Sequence, residues 1–168
     1  MLALLAPSAA AFADTPESVV EAAYLYKFTP FIDWPPNAFT SPSSAFRLCV
    51  LGDDPFGGVL DQAVGGHSVV DHPIEVRRIK TASAVAGCHL LYFAGPKTAA
   101  TAEAFSKVKG SPVVTVTRET GGVTGVVIQF VVRDGHVRFA IDEAAAATNG
   151  VRISSKLLGL AVPLKAGP

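Results

Sequence analysis

Between Phe46 and Thr117 the chain alternates short apolar runs with short helical stretches, and this alternation constrains the fold more than any other feature. Short apolar runs read as strands buried on both faces. Strands joined through helical stretches pair in parallel, because a parallel neighbour is reached only by a crossover. Residues 46–51 form the first run, and the turn at 52–55 leads into a short helix ending near Val64. Residues 74–79 alternate apolar and polar side chains, 81–86 read as a short helix or turn, and 88–94 as a second buried strand. An alanine-rich helix over 97–108 and a strand over 113–117 complete the series. The pattern then changes: 126–133 and 136–141 flank Asp134-Gly135, a two-residue hairpin signal. A short alanine-rich helix closing at Gly150 and a last helix over 154–161 follow. The expected fold class is α/β, a mainly parallel sheet flanked by helices on both faces, with a C-terminal antiparallel hairpin.

Ahead of this alternation, Thr15-Pro16-Glu17 has the composition of a helix start. Val20, Ala23, Tyr24, Phe28 and Phe31 fall at helical spacing on one expected apolar face. Pro30 ends the helix, Trp34-Pro35-Pro36 stops any continuation, and 37–45 reads as a loop. Tyr26 lies off the helix face and Trp34 beyond the helix, so each has two readings, core residue or partner anchor. Further upstream, Leu2 to Ala13 is uncharged and closes in Ala11-Phe12-Ala13, the pattern of a secretory signal peptide cleaved after Ala13. No Lys or Arg precedes Lys27, so the basic start of such a peptide is missing; the alternative is an apolar helix of the domain. The segment is too short to span a bilayer, which takes about 20 apolar residues. Residues 1–13 are accordingly expected to be a leader to the periplasm, and 14–168 one domain that does not itself span the membrane.

Composition excludes two classes. With 168 residues, 49% of them apolar and only 17% charged, the chain has enough apolar surface to offset the entropy of ordering. Its net charge of zero gives no electrostatic reason to expect nucleic acid as a partner. The one basic cluster, Arg77, Arg78 and Lys80, reads as the solvated face of a strand.

No catalytic constellation, metal site or cofactor is expected. The turn Gly52-Asp53-Asp54-Pro55-Phe56-Gly57-Gly58 lacks dinucleotide-fingerprint spacing and places carboxylates where a pyrophosphate needs amides. A phospho-receiver domain would need an acid closing the third strand, where Phe93-Ala94-Gly95 stands instead. Asp53 and Asp54 therefore read as helix caps. His67, His72, His89 and His136 show no metal-ligand spacing and read as surface histidines. There is no nucleophile elbow, and Cys49 lies mid-strand, where burial blunts a thiol. The glycines Gly121, Gly122 and Gly125 form either a binding loop or a tight turn. With His136 and Arg138 on the hairpin, they are the candidate lining of a small-molecule pocket, the alternative to a protein-binding role. Cys49 and Cys88 are 39 residues apart, each in or beside an expected strand. A bond is feasible if the strands are neighbours, and would contribute roughly 4 kcal/mol; two buried free thiols are the other reading.

The order of these segments resembles the YfiR family of bacterial periplasmic proteins from Val19 to Ala161. The resemblance rests on Tyr24-Leu25-Tyr26-Lys27-Phe28 followed by Trp34-Pro35, Leu48-Cys49-Val50-Leu51-Gly52 with Asp54-Pro55-Phe56-Gly57, and Cys88 opening a strand. Pro112-Val113-Val114-Thr115-Val116, Gly125 to Phe130, Val137 to Asp142, and Ile153 to Ala161 continue it. The resemblance implies a regulator, not an enzyme, that binds and represses the periplasmic sensor domain of an inner-membrane diguanylate cyclase or related sensor, controlling cyclic di-GMP and biofilm. It implies a tendency to homodimerise, and Cys49 and Cys88 match the family's strand-borne pair. A later cysteine pair of the founding member is absent, since no Cys follows Cys88, and the family's usual Asn stands as Asp142.

Overall fold

A computed structural model describes residues 16–119 and 122–164. The expected leader, the Thr15 cap and Gly121 lie outside the described residues. Helix α1 spans Pro16–Lys27 and gives way to a 3-10 turn at Thr29–Phe31, where Pro30 has no amide to continue the ladder. The chain continues through β1 (Ile32–Asp33), β2 (Phe46–Leu51), α2 (Gly58–Val64), β3 (Ser68–Val69) and β4 (His72–Ile79). Next come a 3-10 turn at Ala82–Val85, β5 (Leu90–Phe93), α3 (Ala99–Val108), β6 (Val114–Arg118), β7 (Ile128–Arg133) and β8 (His136–Ile141). Helix α4 (Glu143–Thr148), β9 (Arg152–Ile153) and α5 (Ser155–Leu158) close the described chain.

One seven-stranded sheet has the order β3-β4-β2-β5-β6-β7-β8. Strands β4, β2, β5, β6 and β7 run parallel, with Leu48 opposite both Val76 and Leu90. Central β5 is buried at every position, which is why it reads as a continuous apolar run. The sheet is mixed to a greater degree than the sequence implies. Antiparallel strands occur at both edges: β3 on β4, and β8 on β7 through the Asp134-Gly135 turn, both residues at positive φ. The hairpin is also not terminal, because α4, β9 and α5 follow it and β9 returns to pair with β1.

Two apolar clusters occupy the two faces. The larger joins α1, α2 and α5 to the sheet through Leu25, Phe28, Leu60, Tyr92, Phe130 and Leu157. The smaller sits under α3 and the 82–85 turn, and contains Cys49 and Cys88, which are disulfide-bonded with Cα atoms 5.9 Å apart. Cys88 lies two residues before β5, whose Leu91 is the residue opposite Cys49 in the sheet.

Helix α1 departs from expectation. Its inward stripe is Ser18, Glu21, Ala22 and Leu25, continued by Phe28. Val20, expected inside, is 41% exposed, and Val19 is 43% exposed. The inward stripe keeps helical spacing but carries a carboxylate, because Arg118 and Tyr92 meet Glu21 inside. Tyr24 is half-buried and stacks on Phe28, ring centres 5.5 Å apart.

Candidate functional site

The distinctive side chains gather at the amino-terminal ends of β2, β4 and β5. The loop following Trp34 folds back over these strand ends, and Phe39 is sandwiched there between two imidazoles. The His72 ring lies 3.8 Å from it and nearly parallel, the His89 ring 4.6 Å away. Phe46 contacts both His89 and Trp34, the latter edge-on at 4.9 Å. Backbone hydrogen bonds fix the rings. The amide of Arg47 donates to His89 Nδ1 (2.9 Å), so the ring's proton sits on Nε2 and is donated to the Ala38 carbonyl (2.8 Å). Trp34 Nε1 donates to the His89 carbonyl (3.1 Å), and His72 Nδ1 donates to the carbonyl of Ser44 (2.6 Å). Burial is the main cause holding the His89 imidazole below the ordinary histidine range; the nearby charges of Arg47 and His72 act in the same direction.

Beside this stack lies an open groove of about 480 Å³ bordered by Trp34, Phe39, Pro42, Val70 and His72. Val70 and Asp71 form the two-residue turn between β3 and β4, at φ +49° and +66°. That turn geometry favours Asn-Gly, and positive φ is costly for a β-branched residue. Yet Val70 stands at the tip, 69% exposed. An apolar side chain is thus held in a strained conformation and presented to solvent.

The sequence-identified residues are dispersed. Tyr26 is half-buried with its ring 4.2 Å from that of His67, which immediately precedes β3. Trp34 is buried and borders the groove. Gly122 is exposed at φ +72°, and Gly125, at φ +76°, borders a separate cavity with Phe105, Asp142 and Asn149. His136 and Arg138 are exposed near the turn end of the hairpin, whereas the glycine loop enters β7 at the end where Ile128 faces Ile141. At about 3.3 Å per residue the hairpin separates them by well over 10 Å, so they do not build one pocket.

Other assignments change as well. His72 and His89 are buried, not on the surface. Asp54 does not cap α2, whose N-cap is Gly57 without a side-chain bond. It accepts instead from the Phe56 amide and from Arg78, which also pairs with Asp61. Asp142 caps α4, accepting from the Ala145 amide (3.0 Å). The residues missed by sequence reasoning are Phe39, Val70, His72 and His89. A Val-Asp turn carries no hairpin signal, so nothing local marked this end of the sheet.

Among the described residues no group of three or more His, Cys, Asp or Glu could hold a metal ion, and no helix is long and apolar enough to cross a membrane. Fold and site together define a disulfide-bonded α/β protein whose most distinctive surface is an apolar groove at a sheet end. A family model described as YfiR/HmsC-like matches residues 18–162, and the chain belongs to that family. No curated protein matches it.

Proposed function

We propose that this protein is an exported, non-enzymatic regulator that binds the periplasmic sensor domain of an inner-membrane signalling protein, a diguanylate cyclase, and holds it inactive. Membership of the YfiR/HmsC-like family over residues 18–162 carries the reading. Two physical features support it. The Cys49–Cys88 bond suits an oxidising compartment, and the groove at Trp34, Phe39 and Val70 has the apolar character of a protein-binding surface. The leader ends at Ala13, the mature domain begins at Asp14, and the Tyr26–His67 stack extends the contact surface. Repression works by population shift. A tenfold loss of affinity for the partner takes only about 1.4 kcal/mol, which a small repacking at the groove supplies.

Affinity capture of the tagged protein from mildly solubilised envelopes tests the proposal. Recovery of an inner-membrane protein with a cytoplasmic cyclase domain is the expected result. Recovery of the bait alone, from envelopes shown to contain candidate sensors, overturns it.

A further inference from the structure

The opposite end of the sheet carries a second, chemically different feature. The chain leaves β2 for β4 on one side and then returns to β5 on the other, so strand order reverses between β2 and β5. In open α/β sheets, the crevice beyond the carboxyl ends of the strands at such a reversal is where ligands bind. Here that position holds a crevice of about 330 Å³ bordered by Asp53, Pro55, Tyr92, Phe93, Pro96 and Arg118.

The polar groups are unusual for a structural ion pair. Glu21 reaches in from α1 and is 2% exposed. Its Oε2 accepts both the Tyr92 hydroxyl (3.3 Å) and Arg118 Nε (2.9 Å). Arg118 Nη2 is buried with no hydrogen-bond partner, although the Arg118 side chain as a whole keeps 32% exposure. A buried guanidinium nitrogen without an acceptor is costly, and native structures rarely leave one. Burial pushes the Glu21 carboxyl above its ordinary range despite Arg118, while, against its own burial, Tyr92 and Glu21 raise the Arg118 guanidinium above its ordinary value. The exposed third of the Arg118 side chain is the part that borders the crevice.

We infer that this crevice binds a small monocarboxylate with an apolar body, its carboxylate taken by Arg118 and its body lying against Pro55, Phe93 and Pro96. A carboxylate matches the guanidinium edge. A phosphate dianion is disfavoured by the Asp53 carboxylate at the rim, and the proline and aromatic walls give a purely polar anion nothing to contact. The site lies at the other end of the sheet from the groove assigned to the partner, and it stands whether or not that assignment does.

The test uses the isotopically labelled protein and three probes: benzoate, its neutral counterpart benzamide, and inorganic phosphate. Benzoate at millimolar concentration is expected to shift the amide resonances of Phe93 and Arg118 saturably, with benzamide and phosphate about tenfold weaker or more. Arg118→Gln should weaken benzoate by a similar factor. Because losing Arg118 also strands Glu21, Asp53→Asn is the companion variant. Asp53 is fully exposed and its ion pair with Lys80 (3.6 Å) is on the surface, so its loss leaves the fold intact, and removing the rim carboxylate should tighten benzoate about twofold or more. Three results would each overturn the inference: no shift at the crevice amides, benzamide or phosphate matching benzoate, or unchanged benzoate affinity in Asp53→Asn.

Discussion

The two ends of the parallel sheet are built from different materials. At the amino end, aromatic rings stack on one another and every imidazole or indole bond described ends on backbone, as with His89 between the Arg47 amide and the Ala38 carbonyl. At the carboxyl end, a buried carboxylate, a phenol and a guanidinium meet, and one guanidinium nitrogen is left unanswered. Between them β5 is buried at every position. The contrast teaches that a fully buried parallel sheet moves its polar chemistry to the strand ends. Those ends then respond differently, the amino end to redox state and the carboxyl end to anions, with acid acting on the two in opposite directions.

Redox state gives the largest separation. Cys88 lies one residue before His89 and ties that segment to β2. Removing the bond with a Cys49→Ala, Cys88→Ala double variant should cost about 4 kcal/mol in the chain-entropy account of a closed loop. Denaturant unfolding measures this, and Trp34, the only tryptophan, reports the amino end by its fluorescence. A native-state change in that emission without the bond would show that the disulfide holds the Trp34–His89 contact; unchanged emission would confine its effect to global stability.

The carboxyl end is broken by Arg118→Met, which leaves Glu21 buried beside an apolar chain. Fully buried pairs lose about 3–5 kcal/mol when one partner goes. A third of Arg118 is exposed, so about 2 kcal/mol is expected in denaturant unfolding. Trp34 emission should stay unchanged in the folded variant, which sharpens the contrast with the disulfide variant.

Acid separates the ends by sign. The folded-state pKa of His89 lies below its ordinary value of 6.5, so its neutral form contributes stability above pH 6.5. That stability is lost as pH falls from 6.5 toward the lowered value. Glu21 is the reverse: its folded pKa is raised above 4.5, so its contribution is present below 4.5 and lost as pH rises through the folded value. Unfolding curves on the acid side of pH 6.5 should therefore flatten in a His89→Gln variant. An unflattened curve would move the acid response to another group.

Much of the sheet was legible because buried parallel strands are written as apolar runs, and β2, β5 and β6 fall where residues 46–51, 88–94 and 113–117 indicated. The Asp134-Gly135 hairpin was legible for a local reason, since its turn chemistry matches its geometry. The stripe of α1 was not, because Glu21 faces inward to a partner 97 residues away while Val19 and Val20 face out. Likewise the β1–β9 pair spans only two residues on each side, and no periodicity shows in so short a stretch. Of the candidate site residues, the cysteine pair rested on strand adjacency, which the fold supplies. Gly125 lies ahead of β7 whereas Arg138 lies toward the turn of the hairpin, a separation that no local pattern shows.

The smallest effect is the most telling for function. Val70 sits at positive φ where Asn is at ease, so Val70→Asn should stabilise the protein by about 1 kcal/mol. The same substitution removes the exposed apolar tip of the groove, and partner capture from envelopes should fall severalfold. A gain in stability coupled to a loss of binding is the signature of a residue kept for contact at the expense of the fold. If the variant is more stable and captures the partner as well as before, the strain at Val70 serves no interface and the binding surface lies elsewhere. If it is no more stable, neighbouring groups already relieve the turn, and the exposed side chain alone remains as the reason to look there.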